Sequence, residues 1–301
     1  MDATDTAPVC ADIEEQLREL PLLPVVAVKM LSLNRESADY FDDITRLAGQ
    51  DPTFAVRLIR IANSSALATR TPITNLKTAI IRLGTAQIAA LVTSMAVMRI
   101  FVPSSSEARD LWLHSIQVAQ AARAVAVLGK DLQVNPDDAF LAGLLHDIGR
   151  FILIRTAHHV LRTLDENDWD SAGQLIASEQ EICGYDHTQL GWRICRKWQL
   201  PEPIVSVVRS HHELDIAADG SAHANLRNLV RITRLADNLS MAALQATRQP
   251  ADGAATGAAI GARCSALLET DPFISLTELQ AAVPGILAEA DRQFAMLGLP
   301  A

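Results

Sequence analysis

The sequence of 301 residues has few aromatic side chains, no excess of positive charge and no strand-like alternation of apolar and polar residues. Aromatic residues make up only 4%, so the 49% of hydrophobic residues are mainly Ala, Leu, Ile and Val, which suit packed helices. With 20% charged residues the composition is that of a globular protein and excludes wholesale disorder. The formal net charge of -9 disfavours a protein whose main role is to grip nucleic-acid phosphates.

Cysteine pairs and a membrane-length apolar run are also absent from the sequence. The four cysteines form no C-x-x-C pair, and the acidic, polar N-terminus is unlike a targeting sequence. We therefore expect reduced thiols in a cytoplasmic protein. The most lipid-like stretch, 16 uncharged residues between Arg82 and Arg99, would span about 24 Å as a helix, which is less than a ~30 Å hydrocarbon core. The sequence predicts a soluble chain.

Apolar residues recur at helical spacing along the chain, which predicts an all-α fold. Asp51-Pro52 is a typical helix start, and a single long helix is predicted over about 73–101. The polar run 104–106 predicts an N-cap and a joint between two helical lobes. Further helices are predicted near 107–128, 136–148, 151–166, 171–182, 187–198, 202–212, 225–245 and 275–297, with a flexible Ala/Gly-rich connection at 249–262.

Several ionisable residues occupy positions in these helices where apolar residues are expected. His114 interrupts the apolar row of helix 107–128, and Asp237 interrupts that of helix 225–245. The segment 140–149 is apolar on every side, so His146 and Asp147 are predicted to be at least partly buried. The remaining members of the set lie at the ends of apolar rows: His187, His211 and His212.

Burial of so many unpaired polar groups would cost about as much free energy as a domain's net stability. We therefore expect them to converge on one or two divalent cations, which accept imidazole and carboxylate lone pairs together. Ligation by nitrogen and oxygen without thiolates suits Fe, Mn, Mg or Zn. Taken singly, each residue has a simpler explanation: a histidine bonded to the backbone, His211 and His212 complementing a helix dipole, or Asp237 pairing with Arg231 or Arg234.

The order His114, His146-Asp147 within GLLHDIGR, and Asp237 resembles the H…HD…D signature of the HD phosphohydrolase superfamily. His187 and the His211-His212 pair resemble the additional ligands of its HD-GYP branch, the cyclic-di-GMP phosphodiesterases. The segments 20–33, 51–65, 73–88 and 181–213 resemble the HD-related output domain (HDOD) family. The resemblance covers roughly 15–240 and implies a two-lobed helical bundle with an HD-type core.

This resemblance implies a domain over 15–245, with an N-terminal lobe at 15–103 and an HD-like lobe at 104–245. A tail at 1–14 and a linker with a C-terminal helix at 246–301 would flank it. Every superfamily ligand position is filled, although many HDOD members have lost some. The GYP element of the cyclic-di-GMP enzymes is missing, and the lysine that follows HDIG in those enzymes is Arg150, which could still hold a phosphate.

Two functions follow as hypotheses. The first is a bacterial signal-transduction protein that acts mainly by binding a signalling protein partner or a nucleotide second messenger, with the metal site as a structural or sensing centre. The alternative is a metal-dependent phosphohydrolase or phosphodiesterase acting on a nucleotide or cyclic nucleotide, with a metal-bound water near His146 and Asp147. Nucleic-acid binding is a weaker hypothesis because its candidate cations fit a solvated surface: Arg57, Arg60, Arg70, Lys77 and Arg82. No membrane contact is expected.

Overall fold

The computed structural model describes residues 6–34, 36–64, 72–165, 172–213, 223–248 and 253–299. Within these ranges the regular structure is helical and no strand occurs, which confirms the predicted all-α fold. The α-helices are α1 (Thr6–Glu19), α2 (Val25–Leu31), α3 (Tyr40–Gln50), α4 (Pro52–Ala62), α5 (Leu76–Leu83), α6 (Thr85–Ile100), α7 (Ser106–Leu128), α8 (Pro136–Leu145), α9 (Arg150–Asp165), α10 (Ala172–Cys183), α11 (His187–Lys197), α12 (Glu202–Ser210), α13 (Ala224–Arg248), α14 (Gly253–Thr270) and α15 (Leu276–Met296).

Two helix starts that the sequence marks are formed by side-chain caps. The Asp51 carboxylate accepts hydrogen bonds from the backbone N–H groups of Thr53 and Phe54 at the start of α4. Ser105 accepts one from Ala108 at the start of α7. These acceptors satisfy N–H groups that have no partner within their own helix, so the predicted helix starts are confirmed.

Three predicted segments differ in the structure. The single helix predicted over 73–101 is two helices, because Gly84 takes a positive φ of 85° that breaks the chain between α5 and α6. The predicted helix 136–148 ends at Leu145, and residues 146–149 form a turn. Residues 253–262 of the predicted flexible connection belong instead to α14, because the segment is rich in alanine, the strongest helix former. Residues 249–252 of that connection lie outside the described residues.

Helix α7 lies at the centre of the bundle and packs against α8, α13 and α15. Buried apolar residues from Ile13 to Leu299 form one contiguous cluster on both sides of the predicted joint near residue 103. The division into lobes, tail and linker therefore remains a prediction. In the described part of the chain no single helix is both long and apolar enough to cross a bilayer; one bent pair, 76–83 with 87–100, has the length and composition when taken together.

Helix α1 is held to α11 by a charged contact. The Glu14 carboxylate accepts hydrogen bonds from Arg193 (Nη1–Oε1 2.5 Å, Nη2–Oε2 2.8 Å) and from the Tyr185 hydroxyl. The hydrogen bonds from Arg193 and Tyr185 lower the pKa of Glu14 to about 2. A lowered pKa in the folded state means that the contact stabilises the fold above the ordinary value of 4.5 and that this contribution is lost as the pH falls towards 2.

We expect Glu14→Gln to lower the free energy of unfolding at pH 7 by about 1 kcal/mol or less, because the pair is partly exposed. The difference from the wild-type chain should shrink between pH 5 and pH 2, where the wild-type carboxylate becomes protonated. Urea unfolding at several pH values measures this. Glu15→Gln, on the exposed neighbouring residue, makes the same change of charge and serves as the control. A Glu14→Gln deficit that does not vary with pH would contradict the prediction.

Candidate metal centre

All seven side chains that the sequence predicts as metal ligands lie in one cluster. Helix α7 contributes His114, and the turn after α8 contributes His146 and Asp147. Helix α11 begins with His187, His211 and His212 follow the last residue of α12, and Asp237 comes from the middle of α13. The predicted convergence is therefore present in the structure.

Asp147 is the centre of this cluster because its two carboxylate oxygens face different histidines. Oδ2 lies 3.8 Å from Nε2 of His114 and 3.6 Å from Nε2 of His146. Oδ1 lies 3.4 Å from Nε2 of His187 and 3.6 Å from Nε2 of His211. Two groups of suitable ligand atoms thus share a single carboxylate.

The remaining two members each join one side of Asp147. Asp237 Oδ1 lies 3.3 Å from Nε2 of His114 and 3.9 Å from Nε2 of His146. His212 Nε2 lies 3.1 Å from Nε2 of His187. Asp237 therefore completes a first set with His114, His146 and Asp147, and His212 completes a second set with Asp147, His187 and His211.

The four histidines nearest Asp147 each have their other ring nitrogen next to an acceptor. Nδ1 of His146 lies 2.8 Å from the Gly143 carbonyl, and Nδ1 of His211 lies 3.1 Å from the Val208 carbonyl. Because a carbonyl can only accept, both Nδ1 atoms donate and both Nε2 atoms keep their lone pairs for the cluster.

His187 and His114 follow the same pattern with side-chain acceptors. Nδ1 of His187 lies 2.6 Å from Glu179 Oε2, and Nδ1 of His114 lies 3.0 Å from the Ser240 hydroxyl. The Ser240 hydroxyl donates its own proton to Gln117 Oε1 at 2.8 Å and so accepts from His114. This arrangement, with Nδ1 donating outward and Nε2 directed inward, is typical of histidines that bind metals.

Burial and mutual contact change the titration of the cluster. Burial lowers the pKa of His146 to about 4, and burial followed by His211 and His187 holds that of His212 well below its ordinary value. Burial also opposes ionisation of Asp147, yet the surrounding histidines, chiefly His146 and His187, keep its pKa well below the ordinary value. At neutral pH the cluster therefore offers an ionised Asp147 and neutral imidazoles at His146 and His212.

His187 and Asp237 titrate in opposite directions from their ordinary values. Burial alone would lower the pKa of His187, but Glu179 and Asp147 outweigh burial and raise it to about 9. Burial would raise the pKa of Asp237, but His114, whose Nε2 lies 3.3 Å from Asp237 Oδ1, holds it far below the usual range. The carboxylates of Asp147 and Asp237 are therefore both ionised, as metal ligation requires.

Two glycines allow the backbones that carry these ligands to approach closely. A Cβ at Gly143 on α8 would lie 2.8 Å from the Val118 carbonyl oxygen of α7, near the helix position of His114. A Cβ at Gly149 would lie 2.0 Å from the His187 carbonyl oxygen and 2.7 Å from the Gly191 nitrogen. Only a residue without a side chain fits at either position, so glycine lets Asp147 meet both α7 and α11.

Arg150, which the sequence suggests as a phosphate ligand, is directed at two carboxylates of the cluster. Its Nη1 lies 4.0 Å from Asp147 Oδ2, and its Nε lies 3.8 Å from Glu179 Oε1. Asp237, for which pairing with Arg231 or Arg234 was the alternative, instead faces His114, and Arg231 pairs with Asp271. The phosphate-binding role of Arg150 remains a prediction.

Glu179 is a member of the cluster that the sequence analysis missed. It is fully buried on α10, and it accepts from both the backbone N–H (2.9 Å) and Nδ1 of His187. Its sequence signal is the same as that of Asp237, a carboxylate on the buried face of a helix, with Cys183 one turn later. Ser240 and Gln117, which hold His114, carry no comparable signal because their residue types are ordinary in helices.

We expect Glu179→Gln to weaken divalent-metal binding by about tenfold or more while the fold is retained, because partners that orient ligating histidines typically contribute 10- to 100-fold. Competition with a chromophoric chelator measures the affinity. Glu181→Gln, on the exposed side of the same helix, makes the same change of charge and should leave the affinity unchanged. Equal affinities for the Glu179→Gln and wild-type chains would show that the Glu179 contact does not orient a ligand.

Comparison with known proteins gives one family match and several relatives. The model of the HDOD domain family matches residues 20–214. An uncharacterised protein of Treponema pallidum is 25% identical over 219 residues, which are 72% of this chain and 42% of the relative. Ribonuclease Y of Mesoplasma florum is 30% identical over 115 residues, 38% of this chain and 17% of the relative. The chain thus spans less than half the length of these curated relatives.

Solved structures show the same fold at low sequence identity. A protein of Shewanella amazonensis, provisionally named a phosphohydrolase, is 19% identical with a TM-score of 0.68, over 96% of this chain and 98% of that one. An HDOD domain protein of unknown function from Geobacter sulfurreducens is 22% identical with a TM-score of 0.62, over 95% and 99%. A protein of Marinobacter aquaeolei, provisionally named a signal transduction protein, is 18% identical with a TM-score of 0.71, over 98% and 66%.

Proposed function

Because the chain belongs to the HDOD family, we propose that it is a bacterial signal-transduction protein whose His/Asp cluster is a divalent-metal centre that binds a phosphate-bearing ligand. The observation that carries this proposal is the position of Asp147, with four imidazole Nε2 atoms divided between its two oxygens. Signal output would occur through a protein partner or in response to a nucleotide second messenger.

The donor atoms of the cluster fit metal ions. His211 Nε2 is buried and has no hydrogen-bond partner among the described residues, although it faces Asp147 Oδ1 at 3.6 Å. An unpaired buried nitrogen costs free energy, and ligation of a cation would satisfy it. The ionised carboxylates supply the negative charge that such a cation needs. The donor set therefore supports metal binding on grounds that are independent of any relative.

Two ions would be held by two overlapping sets of ligands. His114, His146, Asp147 and Asp237 would hold the first, and Asp147 would share its other oxygen with the second. The ligands of the second would be Asp147, His187, His211 and His212. Since Mg²⁺ prefers oxygen ligands and imidazole suits transition metals, this set favours Fe, Mn or Zn over Mg.

Hydrolysis of a phosphate ester is the second candidate function. It is favoured by the completeness of the ligand set and by the partial exposure of the Asp237 side chain (19%), which places one edge of the cluster next to solvent. Bound divalent ions would supply Lewis acidity and a lowered pKa for a coordinated water. The chain's own residues would hold the ions and admit the ester at the Asp237 edge. A nucleotide or cyclic nucleotide is the substrate class that the family resemblance implies.

Elemental analysis of the full chain, purified without added metal, tests the proposal. We expect one to two equivalents of Fe, Mn or Zn in the wild-type chain and a loss of up to one equivalent in His211→Ala. His223→Ala, which removes an exposed histidine outside the cluster, should leave the metal content unchanged. A wild-type chain free of metal, even after dialysis against Mn²⁺ or Zn²⁺, would refute the metal centre.

A panel of nucleotides and cyclic nucleotides, assayed with the same samples, separates the two candidates. Turnover that is lost in His211→Ala would identify a phosphohydrolase. Saturable binding of a nucleotide to the metal-loaded chain without turnover would identify a sensor. Bound metal with neither activity, together with a protein that co-purifies, would point to a partner-binding role.

A further inference from the structure

Arg231 and Arg234 lie one turn apart on helix α13, ahead of the ligand Asp237, and their surroundings differ. Arg231 donates to Asp271, which follows α14, through Nε to Oδ2 (2.6 Å) and through Nη2 to Oδ1. Its guanidinium also lies 4.6 Å from the centre of the Phe273 ring. Arg231 is therefore fully engaged in holding α14 and the segment after it to α13.

Arg234 has no comparable partner. Both oxygens of Asp271 are already taken by Arg231, and Asp237 is directed at His114. Across the residues that the structure describes, the Arg234 guanidinium makes no hydrogen bond and no ion pair; only its backbone carbonyl is used, by Asn238. The side chain is nevertheless half-buried.

Partial burial of this guanidinium has an energetic consequence. Burial lowers the pKa of Arg234, while the charges of Asp271 and Asp237 oppose the change. A cation that loses hydration without gaining a close anion is destabilising. An anionic ligand that bound beside Asp237 would remove this cost and would gain a two-pronged donor that matches the geometry of a phosphate.

The position of Arg234 on α13 places it one helical turn from the open edge of the cluster. Residues three apart on a helix share a face, so Arg234 lies one turn from Asp237, the carboxylate of the cluster that is most exposed. Arg150 has a different environment, since Asp147 and Glu179 both lie within 4.0 Å of its guanidinium. Of Arg150 and Arg234, Arg234 is therefore the arginine that is available to a ligand.

We propose that Arg234 binds the phosphate group of the ligand, as a specificity-determining residue for phosphate monoesters and nucleotide phosphates at the Asp237 edge. This inference rests on the proposed metal centre. Two divalent ions would carry more positive charge than the three carboxylates Asp147, Asp237 and Glu179 can balance, so a loaded cluster would attract a multiply charged anion. Arg234 adds a directional donor to that attraction.

Titration of the full chain with inorganic phosphate, followed by calorimetry, tests the inference, with the metal content measured on the same samples. We expect Arg234→Gln to weaken phosphate binding by about 10- to 100-fold without loss of metal, because a charge-assisted hydrogen bond is removed. Arg234→Lys should recover part of the affinity. Arg292→Gln, which removes an exposed arginine on α15, is the control for net charge and should bind as the wild-type chain does.

The outcomes separate this inference from the metal centre itself. Phosphate affinity in Arg234→Gln within twofold of the wild-type value would overturn the role of Arg234, whether or not metal is bound. If Arg150→Gln loses phosphate binding while Arg234→Gln keeps it, with metal retained in both variants, the phosphate is assigned to Arg150 instead. A wild-type chain that holds no metal but still binds phosphate through Arg234 would overturn only the metal centre. A wild-type chain that holds no metal and binds no phosphate would overturn both the metal centre and the role of Arg234.

Discussion

Asp147→Asn is expected to reduce the metal content of the chain to below about 0.1 equivalent, whereas the wild-type chain should hold one to two equivalents. The physical reason is that each oxygen of this carboxylate faces a different pair of histidines, so one substitution removes a charged ligand from both sets. An asparagine of the same size offers one neutral oxygen and one amide group that cannot ligate a cation. Elemental analysis of the purified variant measures the loss.

Two further variants make this prediction specific. Asp237→Asn should lower the content by up to one equivalent, because Asp237 belongs to the set of His114 and His146 alone. Asp291→Asn, on the exposed face of α15, makes the same chemical change outside the cluster and should retain all metal. Circular dichroism verifies the helical fold of each variant. Wild-type metal content in a folded Asp147→Asn chain would rule out a shared carboxylate.

Gly149→Ala is expected to lower the free energy of unfolding by about 3 kcal/mol or more. The added methyl group would lie 2.0 Å from the His187 carbonyl oxygen and 2.7 Å from the Gly191 nitrogen, both of which are backbone atoms that cannot rotate away. Overpacking of a rigid interior typically costs 1–3 kcal/mol, and contacts this short belong at or above the upper end. Relief would require the turn at 146–149 to move from α11, which would also separate Asp147 from His187.

Gly285→Ala is the matched control for the glycine prediction. Gly285 is exposed within α15, and apart from its chain neighbours and the backbone of its own helix, no heavy atom of the described residues lies within 4 Å of the position that a Cβ would take. The same substitution should there stabilise the chain by about 0.5–1 kcal/mol, because alanine is the better helix former. Urea unfolding of both variants gives the comparison. Equal stabilities of the two variants would show that the α11 backbone accommodates a side chain at residue 149.

Much of the cluster was predictable because burial of a polar side chain interrupts a regular apolar row. His114 and Asp237 were found in that way, and the structure places Nε2 of His114 3.3 Å from Oδ1 of Asp237. Glu179 carries the same signal but was missed, because the apolar row of α10 is short and its burial depends on α1 and α9 packing against it. Periodicity identifies a helix face, but it does not identify what covers that face.

Three other features could not be predicted from the spacing of apolar residues. The break at Gly84 divides an apolar run that fits one long helix, and the helix at α14 replaces a segment whose glycines indicated flexibility. The engagement of Arg150 by Asp147 and Glu179 could not be inferred from a motif in which the same position is associated with phosphate. The Arg150 contact depends on Glu179, a residue distant in sequence, whereas the break at Gly84 and the helix at α14 reflect backbone conformation and helix propensity that the apolar pattern does not report.

The location of Asp237 and Ser240 has a practical consequence for recombinant work. Both residues lie on α13, beyond residue 214, where the match to the family ends. An expression fragment trimmed to the matched boundaries would therefore lack one carboxylate of the cluster and the hydroxyl that orients His114. A negative result in ligand screening with such a fragment would reflect the truncation, whereas the same screen on the chain through α15 would sample the intact cluster.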